Sequence, residues 1–190
     1  MYIAIEGIDT AGKSTQIAEL KRHFSHALIT KEPGATELGK DIRSLVLAAK
    51  AKSKKAEFLL FLADRAEHVE EVIRPNLEKM IISDRSAVSG VAYALVQEAI
   101  TPQELVELNH FATDRLYPRK VFLLELTPQE LQFRLSQKEL DGIELRGADY
   151  LLKIQKALIE AAKLLEIELV RIDATRSIQE ITQEILKHLD

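Results

Sequence analysis

Residues 2–14 read YIAIEGIDTAGKS, and this stretch decides the fold. It begins with a short apolar run that predicts a β-strand, and residues 7–14 fit the pattern G-x-x-x-x-G-K-[ST]. A helical pattern begins near Lys13. A phosphate-binding loop requires a strand before it and a helix after it, and this context favours it over the alternative, a chance match in a glycine-containing turn. The sequence therefore predicts a site for a nucleoside triphosphate.

The residue types in this loop suit phosphate chemistry. Gly7 and Gly12 permit a tight turn in which backbone N–H groups converge on an anion, and the following helix adds the positive end of its dipole. Lys13 brings a full charge to the transferring phosphate, and the hydroxyl of Ser14 can bind Mg²⁺. None of these features identifies the molecule that accepts the phosphate.

Strand-like and helical patterns alternate along the rest of the chain. The apolar runs are short and lack strict alternation, which is typical of strands covered on both faces. Predicted strands lie at residues 2–6, 27–31, 80–83, 120–125 and 168–172. Predicted helices lie near residues 13–24, 36–49, 55–74, 86–98, 102–115, 128–137, 149–165 and 177–189. This order indicates a single α/β domain over residues 1–190, with a five-stranded parallel sheet and helices on both faces, in the three-layer arrangement of P-loop NTPases.

Composition argues against several classes of protein. The chain has 190 residues, 46% of them hydrophobic, which suits one domain with its own core. Its net charge of −4 gives no support for a nucleic-acid partner, and it has no cysteine for disulfide or thiol chemistry. The first residues lack the basic start and the length of a signal peptide, and no segment approaches the length of a membrane span. We therefore expect a cytoplasmic protein without a membrane partner.

A second set of polar residues follows other predicted strands. Ligands bind at the carboxyl edge of a parallel sheet, so Asp84 could hold the Mg²⁺ shell there and Arg85 could brace a phosphate. An ordinary Asp–Arg pair at the end of the strand at 80–83 is the alternative. The loop at 31–36 and Arg43 are compatible with an acceptor site, but also with a plain turn and a solvated helix residue.

The helix predicted at 55–74 carries a charge on its apolar face. At 100° per residue this face contains Phe58, Leu62, Val69, Val72 and Ile73. Arg65 falls inside it, with Phe61 at its edge. Such a charge is costly unless it forms an internal ion pair, extends to the surface or serves a ligand. Asp64 and Glu67 are close in sequence but point to other faces. In the functional interpretation, the ring of Phe61 stacks on a flat ligand and Arg65 donates to its edge.

Taken in order, these motifs resemble those of the thymidylate kinase family of nucleoside monophosphate kinases. The resemblance runs from the first strand to the last helix. It rests on Glu6-Gly7-Ile8-Asp9 leading into Gly12-Lys13-Ser14-Thr15, on Glu32-Pro33-Gly34, on Phe61 spaced from Arg65, on Asp84-Arg85-Ser86, on Ser89-Gly90-Val91-Ala92-Tyr93 and on Ile172-Asp173-Ala174. It implies that a homodimer transfers the γ-phosphate of ATP to dTMP in the presence of Mg²⁺, giving dTDP and ADP for dTTP synthesis.

On the ATP side, the resemblance implies that the first loop and one arginine beyond it hold the nucleotide. The residues implied are Gly7, Ile8, Asp9, Thr10, Ala11, Gly12, Lys13, Ser14, Thr15 and Arg134. Lys13, Asp9 and Arg85 would act in the transfer itself. Ser14 and Asp84 would bind Mg²⁺.

On the acceptor side, the resemblance implies contacts with dTMP from several elements. The residues implied are Glu32, Pro33, Arg43, Phe61, Arg65, Arg85, Ser89 and Tyr93. Phe61 would stack on thymine, and Arg65 would bond its carbonyl edge. Arg43 and Arg85 would clamp the phosphate, and Tyr93 would lie near the sugar and disfavour a 2′-hydroxyl.

The chain departs from the family pattern in the phosphate loop. Thr10 stands where the family often has Gly or Arg, and members without Arg there usually supply a basic residue from a mobile lid. The lid is expected at residues 137–147, with Lys138 and Arg146 as possible phosphate donors beside Arg134.

Departures near the acceptor leave fewer side chains to read the base. Gly90 stands where many bacterial members have a polar residue that bonds the base. Ala94 replaces a common Gln, and Lys31 replaces the usual Arg. A kinase for another deoxynucleotide or nucleoside is therefore the nearest alternative function.

A P-loop ATPase that acts as a switch is an alternative from a different class. Such a protein has no use for Arg43, Arg65 and Arg85 converging opposite the first loop, and it would need groups that position water, for which the sequence offers no clear candidate.

Overall fold

The computed structural model describes residues 1–48, 50–137 and 146–189. The strands within these ranges are β1 Tyr2–Glu6, β2 Leu28–Lys31, β3 Ile81–Asp84, β4 Lys120–Glu125 and β5 Glu168–Asp173. They form one parallel sheet with the order β2-β3-β1-β4-β5. The prediction of a five-stranded parallel sheet surrounded by helices is confirmed.

The helices begin and end close to the predicted positions. They are α1 Lys13–His23, α2 Glu37–Leu47, α3 Lys54–His68, α4 Ala87–Gln97, α5 Pro102–Thr113, α6 Pro128–Ser136, α7 Ala148–Leu164 and α8 Ile178–Lys187. Side chains of Thr101 and Thr127 cap α5 and α6, and a proline with its fixed φ follows each cap. No helix in the described ranges is long and apolar enough to cross a membrane.

Helix α3 continues into an irregular segment. A π-helical turn covers Val69–Ile73, and a 3₁₀ turn covers Arg74–Asn76, where Pro75 cannot continue an α-helix. The prediction of one regular helix to residue 74 is therefore wrong at its end. Because the wider turn changes the angle between successive side chains, Val72 is only half-buried, although the 100° wheel placed it in the apolar face.

Strand β1 lies at the centre of the sheet and is buried at every position. Asp84, at the end of β3, is level with Ile5 of β1 on one side and Lys31 of β2 on the other. Because the strands are parallel, the loops that follow β1, β2 and β3 leave the sheet at the same edge. This register brings the phosphate-loop residues and the loops beginning at Glu32 and Arg85 to one edge.

Candidate functional site

The loop after β1 has the shape of a phosphate cradle. Gly12 caps α1 with a φ of 98°, a left-handed conformation that a residue with a side chain adopts at a cost. Helix α1 therefore begins at Lys13 with its N–H groups directed into the loop. Ser14 and Thr15 are exposed in its first turn. The Lys13 ammonium donates to the carbonyl oxygens of Gly7 and Ile8, at 3.0 and 3.1 Å, so it lies across the loop.

Lys13 is held in an environment that disfavours its charge. Its side chain is buried, and burial together with the nearby charge of Arg85 lowers the pKa of Lys13 to about 8. Asp9, 3.8 Å from the ammonium nitrogen, works in the opposite direction. An anion placed in the loop would stabilise the charged form of Lys13, so the site is electrostatically suited to phosphate.

Arg85 connects the phosphate loop with the loop after β3. Its Nη2 donates to Oδ1 of Asp9 at 2.7 Å, and its Nη1 donates to the Ser89 hydroxyl at 3.1 Å and to the Gly7 carbonyl at 3.3 Å. Asp9 thus lies between two cations, Lys13 and Arg85. The structure brings together the three residues for which a role in transfer was predicted.

Glu6 anchors this arrangement, and the sequence analysis gave it no role. Its carboxylate is fully buried and accepts hydrogen bonds from the backbone N–H and hydroxyl groups of both Ser86 and Ser89, the shortest at 2.5 Å. These bonds fix the turn in which Arg85 adopts a φ of 69°. Burial raises the pKa of Glu6. An acidic residue in an otherwise apolar central strand was the available signal, because such a group requires partners.

The residues near Asp84 fit a magnesium ion. Oδ1 of Asp84 is buried and has no hydrogen-bond partner among the described residues, so a buried carboxylate oxygen remains available at the edge of the sheet. Ser14 offers an exposed hydroxyl at the start of α1. An oxygen-only donor set of this kind suits Mg²⁺, which is bound through one or two carboxylates, waters and phosphate oxygens.

Arg65 is buried in a network that joins three elements. Its Nε donates to Oε2 of Glu32 at 2.8 Å, and its Nη1 donates to Oδ1 of Asn109 on α5 at 2.8 Å. His68 contacts the other oxygen of Glu32 at 3.1 Å. Burial would raise the pKa of Glu32, but the charge of Arg65 and the contact with His68 outweigh it and lower that pKa. Of the alternatives for Arg65, the internal ion pair is present, with Glu32 rather than with Asp64 or Glu67.

The loop after β2 is held from two sides. Nη1 of Arg43 donates to the Pro33 carbonyl at 3.0 Å, and Asp64 of α3 accepts from the Gly34 N–H at 2.8 Å. Burial raises the pKa of Asp64 to about 6. Arg43, on α2, is therefore bonded to this loop and is not a freely solvated residue.

Two predicted contacts of the acceptor base and sugar lie on neighbouring helices. Phe61 is half-buried on α3, one turn before Arg65, and Tyr93 is half-buried on α4. The Tyr93 hydroxyl has no hydrogen-bond partner within the described ranges, and burial raises the pKa of Tyr93 to about 12. Phe61 is close in sequence to Arg65, and Tyr93 lies on the helix that follows Arg85.

A cleft lies beside the phosphate loop. It has a volume of about 130 Å³ and is lined by Ala11, Gly12, Thr15, Gln16, Arg134, Ala174, Arg176, Ile178 and Ile181. Arg134 donates to the carbonyl oxygens of Thr10 and Ala174, at 2.9 and 2.8 Å. These bonds tie it to the wall of the cleft, beside the position expected for ATP.

The lid expected at residues 137–147 lies mostly outside the described residues, and so does Lys138. Arg146 is described and exposed. It donates to the Tyr150 hydroxyl at 2.9 Å, and its guanidinium lies 4.9 Å from the centre of the Tyr150 ring.

Comparison with known proteins identifies relatives over the whole chain. The family model described as thymidylate kinase matches residues 5–185. A thymidylate kinase of Sulfurimonas denitrificans is 72% identical over 190 residues and covers all of both chains. A thymidylate kinase of Campylobacter jejuni is 45% identical, again over the full length of both. The crystal structure of thymidylate kinase from Ehrlichia chaffeensis superposes with a TM-score of 0.77 at 27% identity, over 100% of this chain and 97% of that one.

Proposed function

Because the chain belongs to the thymidylate kinase family, we propose that it transfers the γ-phosphate of ATP to dTMP, giving dTDP and ADP for dTTP synthesis. One observation carries this function beyond nucleotide binding. Arg85 extends from the loop after β3 to the phosphate loop, where it meets Asp9 at 2.7 Å. A second cation therefore faces the cradle from the side where an acceptor phosphate would lie.

Positioning and charge account for the reaction, since phosphoryl transfer requires little covalent chemistry from the protein. The N–H groups of the loop and Lys13 bind the ATP phosphates. When ATP binds, the Lys13 ammonium exchanges the carbonyl oxygens of Gly7 and Ile8 for phosphate oxygens. Oδ1 of Asp9 contacts both Lys13 and Arg85, at 3.8 and 2.7 Å, so both cations remain close to the phosphoryl group.

The acceptor occupies the space bounded by the loops after β2 and β3. Arg85 and Arg43 bind its phosphate, and the loop at Glu32 and Pro33 forms the adjoining wall, supported by the bond from Arg43 to the Pro33 carbonyl. Phe61 stacks on the thymine ring. Arg65 donates to the carbonyl edge of the base.

Mg²⁺ is the metal that we propose for this site, held by Ser14 and Asp84. When bound, it neutralises charge that develops on the phosphate oxygens. The unpaired Oδ1 of Asp84 supports this assignment.

A lid over residues 137–147 is part of the proposal. Its support is the sequence, in which two glycines and mixed charges separate the patterns of α6 and α7. Closure over ATP would exclude water and add a cation, Lys138 or Arg146, to the phosphates.

We also propose that the protein forms a homodimer through α2 and α3. Leu38 and Leu45 on α2 and Leu59 on α3 are exposed although the two helices pack together, and Ile29 is exposed on the neighbouring edge strand β2. A second copy of the chain would cover this apolar surface.

The cytoplasm, which holds ATP and deoxynucleotides, is the compartment that fits the reaction.

Identification of the product tests the proposal. The purified protein, incubated with ATP, Mg²⁺ and dTMP, should yield dTDP and ADP in equal amounts by chromatography. ADP formed without dTDP would contradict the transfer.

A further inference from the structure

Gly90 lies against the guanidinium group of Arg65. A Cβ atom at Gly90 would stand 2.7 Å from Nη2 of Arg65, closer than a side-chain carbon approaches a neighbouring atom, and 3.3 Å from its Nη1, which is a tight contact. Gly90 is an interior residue of α4, where glycine is less favourable than alanine. The helix therefore lacks a side chain at the point where the guanidinium of α3 occupies the space.

Two buried partners hold the guanidinium in that place. Glu32 accepts from Nε and Asn109 accepts from Nη1, both at 2.8 Å. Asn109 is fully buried, and its amide nitrogen donates to the Leu105 carbonyl at 2.7 Å, which fixes the orientation of the accepting oxygen. Nη2, the nitrogen nearest Gly90, makes no hydrogen bond with the described residues, so its donors remain for a ligand.

We propose that Gly90 and Asn109 are positioning residues for the acceptor base, acting through Arg65. This inference rests on the proposed function, in which Arg65 donates to the carbonyl edge of thymine. The side-chain oxygen of Asn109 accepts from Nη1 and so orients the plane of the guanidinium group. Gly90 leaves the space in which Nη2 can face the base. A side chain at position 90 would push the guanidinium group of Arg65 away from the base, and loss of the Asn109 acceptor would let that group rotate.

Steady-state kinetics with Gly90→Ala and Asn109→Leu test the inference. For each we expect the KM for dTMP to rise about tenfold, whereas kcat and the KM for ATP change less than about twofold, since ground-state positioning of one substrate is lost. Thr113→Val is the matched control. Thr113 is also buried on α5, and its hydroxyl donates to the backbone carbonyl of Asn109 and not to the Asn109 side chain, so the KM of Thr113→Val for dTMP should stay at the wild-type value.

A double-mutant cycle separates positioning from general damage. Lysine has no Nη2, so Gly90→Ala should have little further effect on the KM for dTMP in an Arg65→Lys background. A full, additive effect there would overturn the inference, and so would a wild-type KM in folded Gly90→Ala. If Gly90→Ala does not fold, Asn109→Leu becomes the deciding variant. A KM for dTMP equal to that of Thr113→Val would then overturn the inference. Wild-type protein that does not phosphorylate dTMP at all would instead remove the proposed function.

Discussion

At the scale of single residues, Arg65 shows how a local pattern and a long-range contact combine. Its place on an apolar helix face follows from periodicity, and it indicates that the charge must be paired or must bind a ligand. Its partners do not follow from periodicity, because Glu32 and Asn109 are 33 and 44 residues away along the chain. The same limit applies to Glu6, whose partners Ser86 and Ser89 are 80 and 83 residues away.

The variant Arg65→Lys tests whether this single residue distinguishes thymine from cytosine. Lysine keeps a charge for Glu32 but lacks the planar fork, so the protein should fold while losing discrimination. A carbonyl at the thymine edge accepts from the guanidinium, whereas cytosine presents an amino donor, a mismatch that costs about 1–3 kcal/mol. We expect the preference for dTMP over dCMP, measured as the ratio of kcat/KM values, to narrow by roughly tenfold.

Phe61→Ala is the comparison for that measurement. Stacking is available to any base, so removal of the ring should raise the KM for dTMP and dCMP alike and leave their ratio unchanged. An unchanged ratio in folded Arg65→Lys would mean that this residue does not read the base.

At the scale of secondary-structure elements, most of the fold could be predicted. The strands and helices are found within a few residues because apolar periodicity and the caps at Thr101 and Thr127 are local signals. The end of α3 could not be predicted, since a π turn depends on how the helix packs and not on the spacing of its apolar residues. The 100° wheel therefore fails at Val72.

Asp64 links α3 to the loop after β2, and its ionisation should oppose folding. Burial raises its pKa from 3.8 to about 6, so the folded state holds this proton more tightly than the unfolded state does. The resulting loss of stability grows as the pH rises from about 4 to 6 and is complete above it. Asp64→Asn keeps an acceptor for the Gly34 N–H and carries no charge.

Denaturant unfolding at two pH values measures this effect. The free energy of unfolding of Asp64→Asn relative to wild type should increase by about 1 kcal/mol between pH 5 and pH 7.5. Asp41→Asn, at an exposed position on α2, removes a carboxylate from the surface and serves as the control. A difference between Asp64→Asn and wild type that is independent of pH would contradict the assignment.

The proposed lid makes a separate prediction at this scale. Closure over bound nucleotide should protect backbone amides of residues 137–147 from hydrogen exchange when ATP and dTMP analogues are both present. Amides of β1 provide an internal reference, because that strand is buried at every position. Equal exchange in residues 137–147 with and without ligands would remove the lid from the mechanism.

At the scale of the whole molecule, the exposed leucines of α2 and α3 predict a homodimer. Leu59→Glu places a charge among these exposed leucines and should convert a dimer into a monomer in sedimentation velocity. Phe133→Glu is the matched control, because Phe133 is also exposed but lies on α6. Wild-type protein that sediments as a monomer at micromolar concentration would contradict the interface.

The parallel sheet determines the function by what it brings to one edge. The first loop could be assigned from the sequence because its glycines, lysine and serine are contiguous. The acceptor site comes from separate segments that meet only after folding, so individual residues suggested it weakly, and the order of motifs along the chain was the stronger signal. The family match over residues 5–185 confirms the family that this order of motifs predicted.

The most direct test of the central claim is ADP release from ATP and Mg²⁺, measured with no acceptor and with dTMP, dCMP, dGMP and AMP in turn. The site geometry predicts little release from ATP alone, strong stimulation by dTMP and weaker stimulation by the others. Lys13→Ala, correctly folded by circular dichroism, should lower the dTMP-dependent rate at least ~100-fold. Rapid ADP release that no nucleoside monophosphate accelerates would contradict the account and favour an ATPase switch.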